Sequence, residues 1–180
     1  MTEKTKQHLR RYVVFAMGMI IDSIGIAFIT RAGLGTSPIS GIPFVLSLIL
    51  PPSIGTFTFL FNMVYVVAEA ILRKEFTKVQ AAQIPISLFF AVCIDAAMSI
   101  IPSQYGQFYL YSVAYLVIGC VIAAFGISLE VMADVIMLPA EALIRAISKK
   151  IGVRFGNVKI GFDTCLTIIA VVIALLSFHK

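Results

Sequence analysis

The residues best able to do chemistry in this chain are acids placed inside long apolar runs. Asp22 lies midway along the apolar stretch 12–30, and Asp95 lies in the outer third of 81–101. Asp163 stands about two turns into 156–178, with Asn62 at the corresponding depth of 56–72. Glu130 and Asp134 open a broken segment just past 108–129. A carboxylate in hydrocarbon is expensive to keep, so such groups mark solute or ion pathways by default. The plainer alternative for each is a structural hydrogen bond to a neighbouring helix. Asp22 and Asp95 are the two best placed to take up and release a proton.

A second group of candidates breaks the apolar pattern. Arg31-Ala32-Gly33-Leu34-Gly35-Thr36-Ser37-Pro38 interrupts the first long run. Ser37 is a good N-cap and Pro38 suits a first helical position, so a short apolar helix is predicted over 38–50. Its free N–H groups and dipole would attract an anion, and Arg31 adds charge. Gly33 and Gly35 would let a ligand approach the backbone closely. Arg31, Gly33, Gly35, Thr36, Ser37, Asn62, Asp95, Glu130, Asp134 and Asp163 are therefore the candidate substrate-binding residues. The alternative is a tight external turn, with Arg31 reaching to the headgroups.

These residues must be positioned by a bilayer-spanning scaffold. The 180-residue chain is 60% hydrophobic and 13% charged, with mean hydropathy +1.02. Soluble domains carry roughly 25% charge. Runs 12–30, 56–72, 81–101, 108–129 and 156–178 each approach the roughly 20 residues that cross a bilayer. The first follows a basic head (Lys4, Lys6, Arg10, Arg11) but lacks a signal-peptide cleavage pattern, so it reads as a retained helix. Cys93, Cys120 and Cys165 all lie in these runs and read as small core residues, with no disulfide or metal framework.

The net charge of +5 is gathered in the head, at Arg73-Lys74-Lys78 and at Arg145-Lys149-Lys150-Arg154. That distribution fits cytoplasmic loops and a cytoplasmic N-terminus, and it excludes a nucleic-acid surface. Every basic cluster falls on one side only if 31–50 and 132–151 do not cross. Each is then re-entrant or interfacial. The segment 139–150 is the more amphipathic of the two. Ala140, Leu143, Ile144 and Ile147 share one face, while Glu141, Arg145 and Ser148 share the other, which suits a helix resting on the interface. Glu141 precedes Arg145 by four positions, the favourable order for a helical ion pair.

Offsetting the sequence by 101 positions aligns Gly18 with Gly119, Gly25 with Gly126, Ala32 with Ala133 and Pro38 with Pro139. It also aligns Ser47 with Ser148, Gly55 with Gly156, and Phe61-Asn62 with Phe162-Asp163. A unit of span, broken segment, span, span has three crossings, so its second copy is inverted, as in many secondary transporters. The fold expected is a single all-α polytopic membrane domain over 1–180, with five transmembrane helices and two short re-entrant or interfacial helices. Repeat one covers 12–101. Repeat two covers 108–180 and lacks its last helix, which a homodimer or another partner would supply.

Walker, HExxH and Ser/His/Asp patterns are absent from the sequence, and His8 and His179 lie at the chain ends. No enzyme activity and no cofactor or metal is expected. The run 25–38, the Ser53-Ile54-Gly55-Thr56 stretch, Ile94-Asp95, the segment 126–139 and Gly152-Val153-Arg154-Phe155-Gly156-Asn157-Val158-Lys159 resemble the YczE/YitT-like family of bacterial integral membrane proteins. The chain departs from that family at Ile39-Ser40, where an acid often follows the proline, and in the last helix, which would fall beyond Lys180. The resemblance implies a multi-pass protein of the bacterial inner membrane. The function expected is a small-molecule transporter or substrate-binding membrane subunit for an anionic or zwitterionic solute. The alternative is a non-transporting scaffold or regulator acting through its basic cytoplasmic face.

Overall fold

A computed structural model describes residues 3–103 and 108–178; residues 104–107 of the uncharged connection and His179 lie outside the described residues. The described residues form helices α1 (Glu3–Arg31), α2 (Pro38–Ile49), α3 (Ile54–Arg73), α4 (Lys78–Ile100), α5 (Tyr109–Ala133), α6 (Pro139–Ile151) and α7 (Phe155–Phe178), with no strand among them. α1, α3, α4, α5 and α7 are long and apolar enough to cross a membrane. Their outward faces stay apolar: Ile160 is 68% exposed, Leu176 71% and Val121 66%. A water-soluble protein does not display apolar surface on this scale. The chain is a multi-pass helical membrane protein.

Helix boundaries follow local chemistry. Ser37 accepts from the Ser40 amide at 3.4 Å, and Pro38 follows it at the first helical position. Ser53 caps α3 in the same way, accepting from the Thr56 amide at 3.1 Å. α4 begins with a capping box: Thr77 N–H donates to Gln80 Oε1 at 2.7 Å, and Gln80 N–H donates to Thr77 Oγ1 at 3.4 Å. Gly33 and Gly35 take left-handed backbone (φ 72° and 131°), which is what ends α1 before Ser37.

The chain divides into two compact units. The first holds residues 1–35 and 92–136, that is α1, the second half of α4, and α5. In it α1 and α5 pack antiparallel with glycines in the seam. Gly25 meets Ala123, Gly126 meets the Asp22 backbone, Gly119 meets Ile29, and Gly18 meets Glu130. These contacts are reciprocal at the 101-residue offset: Ala123 and Gly126 are Asp22 and Gly25 shifted by 101, and Gly119 and Glu130 are Gly18 and Ile29 shifted by 101. Antiparallel spans require an even number of crossings between them. α3 and α4 supply two, and α2, with 12 residues or roughly 18 Å, is too short to add a third.

The second unit holds residues 36–91 and 137–180. α2 packs on α7 and α3, and α6 packs on α3 and α7. One cluster centres on Ile42, Leu166 and Ala170, with Leu46, Phe61, Phe162 and Ile173 against it. The other centres on Leu143, Tyr65 and Ala140, with Ile147, Phe162, Phe61 and Leu72 against it. The pairs Ile42/Leu143, Leu46/Ile147, Phe61/Phe162, Tyr65/Leu166 and Leu72/Ile173 are each 101 apart.

α6 is the more buried short helix: Ala140, Ala142, Leu143, Ile144 and Ala146 are all enclosed, against Ser40, Ile42 and Pro43 in α2. Its alanines let α3 and α7 come close. Arg145 donates to Met137 Sδ at 3.3 Å and forms no pair with Glu141. Cys120 and Cys165 are exposed and Cys93 half-buried, so they are not core residues. In a membrane helix the outward face is as apolar as the inward one, and apolar neighbours in sequence do not indicate which face a residue takes.

The glycine seam makes a sharp prediction. A side chain on Gly25 or Gly126 would meet backbone of the opposing helix, whereas one on Gly156 or Gly161 meets nothing within 4 Å. Gly25→Val and Gly126→Val should each destabilise the detergent-solubilised protein by about 1–3 kcal/mol or more. Gly156→Ala and Gly161→Ala should be neutral or stabilising. Unfolding transitions of the four variants check this, and equal behaviour of both pairs contradicts it.

Candidate functional site

Within the second unit, polar residues fall on buried helix faces. On α3, Thr58, Asn62, Tyr65 and Glu69 recur at spacings of 4, 3 and 4, which aligns them on one face. All four are buried. Thr58 Oγ1 donates back to the Ile54 carbonyl at 2.8 Å, so it makes no demand on its surroundings. Glu69 Oε1 accepts from Arg73 Nε at 2.7 Å, while Glu69 Oε2 and the Tyr65 hydroxyl have no hydrogen-bond partner among the described residues. On α4, Gln80, Gln83 and Ser87 follow at spacings of 3 and 4, each at most 1% exposed. Gln83 Nε2 donates to the Met137 carbonyl at 3.0 Å, in the turn leading into α6. Gln83 Oε1, Ser87 Oγ and Gln80 Nε2 have no partner among the described residues.

α6 starts beside this group. Tyr65 packs against Ala140 and Leu143, and its ring meets Phe162 edge-on at 5.7 Å between centroids. α6 has Leu138 as N-cap with no side-chain hydrogen bond, in contrast to Ser37-capped α2. Next to Phe162, Asp163 pairs through Oδ2 with Lys159 at 3.4 Å, and its Oδ1 has no hydrogen-bond partner among the described residues. A buried helix start, amide and hydroxyl acceptors, and two carboxylates are thus carried by one unit. Such a set can hold a small polar molecule by hydrogen bonds and charge, with no nucleophile–base arrangement in it.

The residues singled out from sequence are divided between the units. Asn62, Asp163, Thr36 and Ser37 belong to the second unit; Asp22, Arg31, Gly33, Gly35, Asp95, Glu130 and Asp134 belong to the first. Both α1–α5 acids lie along the seam: the Asp22 backbone abuts Gly126, and the Glu130 side chain abuts Gly18. Asp22 is buried and Asp95 half-buried on α4. Arg31 donates to the Met98 carbonyl, and its Nε has no partner. Gly33 and Gly35 are exposed. Asp134 lies at the C-cap of α5 with its side chain 89% exposed, where Arg11 bonds the Ala133 carbonyl at 2.8 Å, the Asp134 carbonyl at 3.1 Å and Asp134 Oδ2 at 3.2 Å. That arrangement closes a helix end at the surface.

Sequence reasoning misses Tyr65, Gln80, Gln83 and Ser87; Glu69 reads there only as the i,i+4 partner of Arg73, a pair the structure shows. Their signal is polar recurrence at helical spacing, which an uncharged glutamine or serine gives only weakly in an apolar run.

The helices and the polar face together define a multi-pass α-helical membrane protein with a buried hydrophilic set. Residues 9–180 match the family of unknown function DUF6198, and the chain belongs to that family. No curated protein and no solved structure matches the chain.

Glu69 is the most constrained acid of the set, with its side chain 5% exposed against 39% for Arg73. Arg73→Ala leaves that carboxylate buried without its partner and should cost about 1–3 kcal/mol, less than a fully enclosed pair because Arg73 touches solvent. Replacing both by Met should recover most of the loss. Chemical unfolding of the single and double variants in detergent measures it, and equal stability of all three excludes a buried charge at Glu69.

Proposed function

We propose that this chain is a small-molecule membrane transporter, or the solute-binding membrane subunit of one, acting on an anionic or zwitterionic solute. The observation that carries the reading is the set of buried polar atoms without protein partners around the start of α6. Tyr65 OH, Gln83 Oε1, Ser87 Oγ and Asp163 Oδ1 belong to it. A polar group held in a low-dielectric interior without a partner costs free energy that a purely structural role does not return. A solute with complementary groups returns it. The uncapped N-terminus of α6 suits a carboxylate or other anion, and Glu69 and Asp163 suit a cationic end.

An inverted repeat supports the same reading. The α1–α5 seam and the paired clusters of the second unit are each reciprocal at the 101-residue offset. Such reciprocity is what two inverted copies produce, and transporters of that build place their sites where the copies meet. Asp22, buried in the seam, and Asp95, half-buried on α4, are the candidates for proton coupling. The basic segments favour a cytoplasmic start for α1, and the resemblance to the YczE/YitT-like proteins favours a bacterial cytoplasmic membrane.

The test is uptake by proteoliposomes offered labelled amino acids and small organic anions, with a proton gradient applied or collapsed. Wild type should accumulate one solute class. Tyr65→Phe and Ser87→Ala should lower uptake at least tenfold while leaving the melting temperature unchanged or raised, because each removes an unpartnered buried group. Uptake by both variants at the wild-type rate, or no accumulation of any solute by wild type, overturns the proposal.

A further inference from the structure

Where α3 and α6 end, the second unit carries a cavity of about 420 Å³ lined by Leu72, Arg73, Lys74, Ala146, Lys149 and Lys150. Four cations therefore surround an apolar floor, since Leu72 packs into the cluster of Leu143 and Ile147 and Ala146 is buried. Arg73 Nε is held by Glu69, but no ion pair among the described residues involves Lys74, Lys149 or Lys150. Exposed apolar side chains flank the same two helix ends: Ile71 is 73% exposed and Ile151 57%.

The helix dipole alone does not explain this gathering. Cations favour helix C-termini in general, yet α2, α4, α5 and α7 end with no basic residue in the last turn. The positions 101 away from Arg73, Lys74, Lys149 and Lys150 are Ala174, Leu175, Leu48 and Ile49, which carry no charge. One of two corresponding places is basic and the other wholly apolar. Lys74 is also kept at a conformational cost. It caps α3 in the left-handed region (φ 58°, ψ 22°), where glycine is the usual residue, and α6 does end on glycine, Gly152 at φ 69°.

We propose that this cleft binds the phosphate headgroup of an anionic phospholipid of the cytoplasmic leaflet, with acyl chains lying along Ile71 and Ile151. Four cations over one apolar floor match a headgroup with two phosphates, as in cardiolipin, better than a single phosphate. The site is separate from the buried polar set and does not depend on what that set binds.

Native mass spectrometry of the full chain in detergent, titrated with cardiolipin, phosphatidylglycerol and phosphatidylcholine, tests this. Cardiolipin should be retained at least tenfold more tightly than phosphatidylcholine. Lys149→Gln with Lys150→Gln should lose that preference, and Arg154→Gln, outside the cleft, should keep it within twofold. Lys74→Gly supplies the independent check: it relieves the cap, so the lipid-free protein should melt higher, while cardiolipin retention falls severalfold. Similar retention of phosphatidylcholine and cardiolipin, or unchanged retention in Lys74→Gly, overturns the proposal. Full competition by millimolar inorganic phosphate or glycerophosphate also overturns it, since that marks a site for a soluble phosphorylated molecule.

Discussion

Hydrocarbon offers no partner to a backbone N–H or C=O, and the short helices α2 and α6 depend on that constraint. Twelve or thirteen residues cannot carry a chain across a bilayer. Each short helix must begin and end where protein or water satisfies its terminal groups. α2 does so with Ser37, and α6 ends on Gly152 while its start is packed among Tyr65, Phe162 and the turn at Met137. The long helices that line this shelter carry the polar faces, because a sheltered helix end and a buried amide solve the same problem of satisfaction.

Close approach is the second requirement. In the first unit, α1 and α5 meet through Gly18, Gly25, Gly119 and Gly126, where even a methyl group would strike the opposing backbone. Association of helices in lipid gains little from apolar burial, so van der Waals contact between backbones has to supply it. The seam also brings Asp22 and Glu130 to one interface.

Charge separates places that are otherwise alike. Leu143 and Ile147 answer Ile42 and Leu46, and Tyr65 answers Leu166, so the two clusters of the second unit are built from corresponding positions. The helix ends beyond them differ. One carries Arg73, Lys74, Lys149 and Lys150; the other carries Leu48, Ile49, Ala174 and Leu175. Corresponding apolar positions recur in the packing, and the few charges placed beside them make the two helix-end pairs unlike.

The five spans, the two short helices and their starts at Pro38 and Pro139 were legible in the sequence, because run length, N-cap chemistry and proline position act locally. The 101-residue offset is a pattern of the sequence itself, carried by matched glycines and a matched proline. Which face each span turns inward was not legible. Cys120 and Cys165 sit among apolar neighbours and face outward. Nor was the polar set legible: Gln83 gains significance only when α4 brings it to the turn before α6, and Asp134 loses it when Arg11 meets it at the surface. Sequence alone determined the elements and the charge asymmetry, since these depend on neighbours along the chain. Tertiary structure alone decided which polar atoms are buried without partners, because that depends on contacts between residues far apart in sequence.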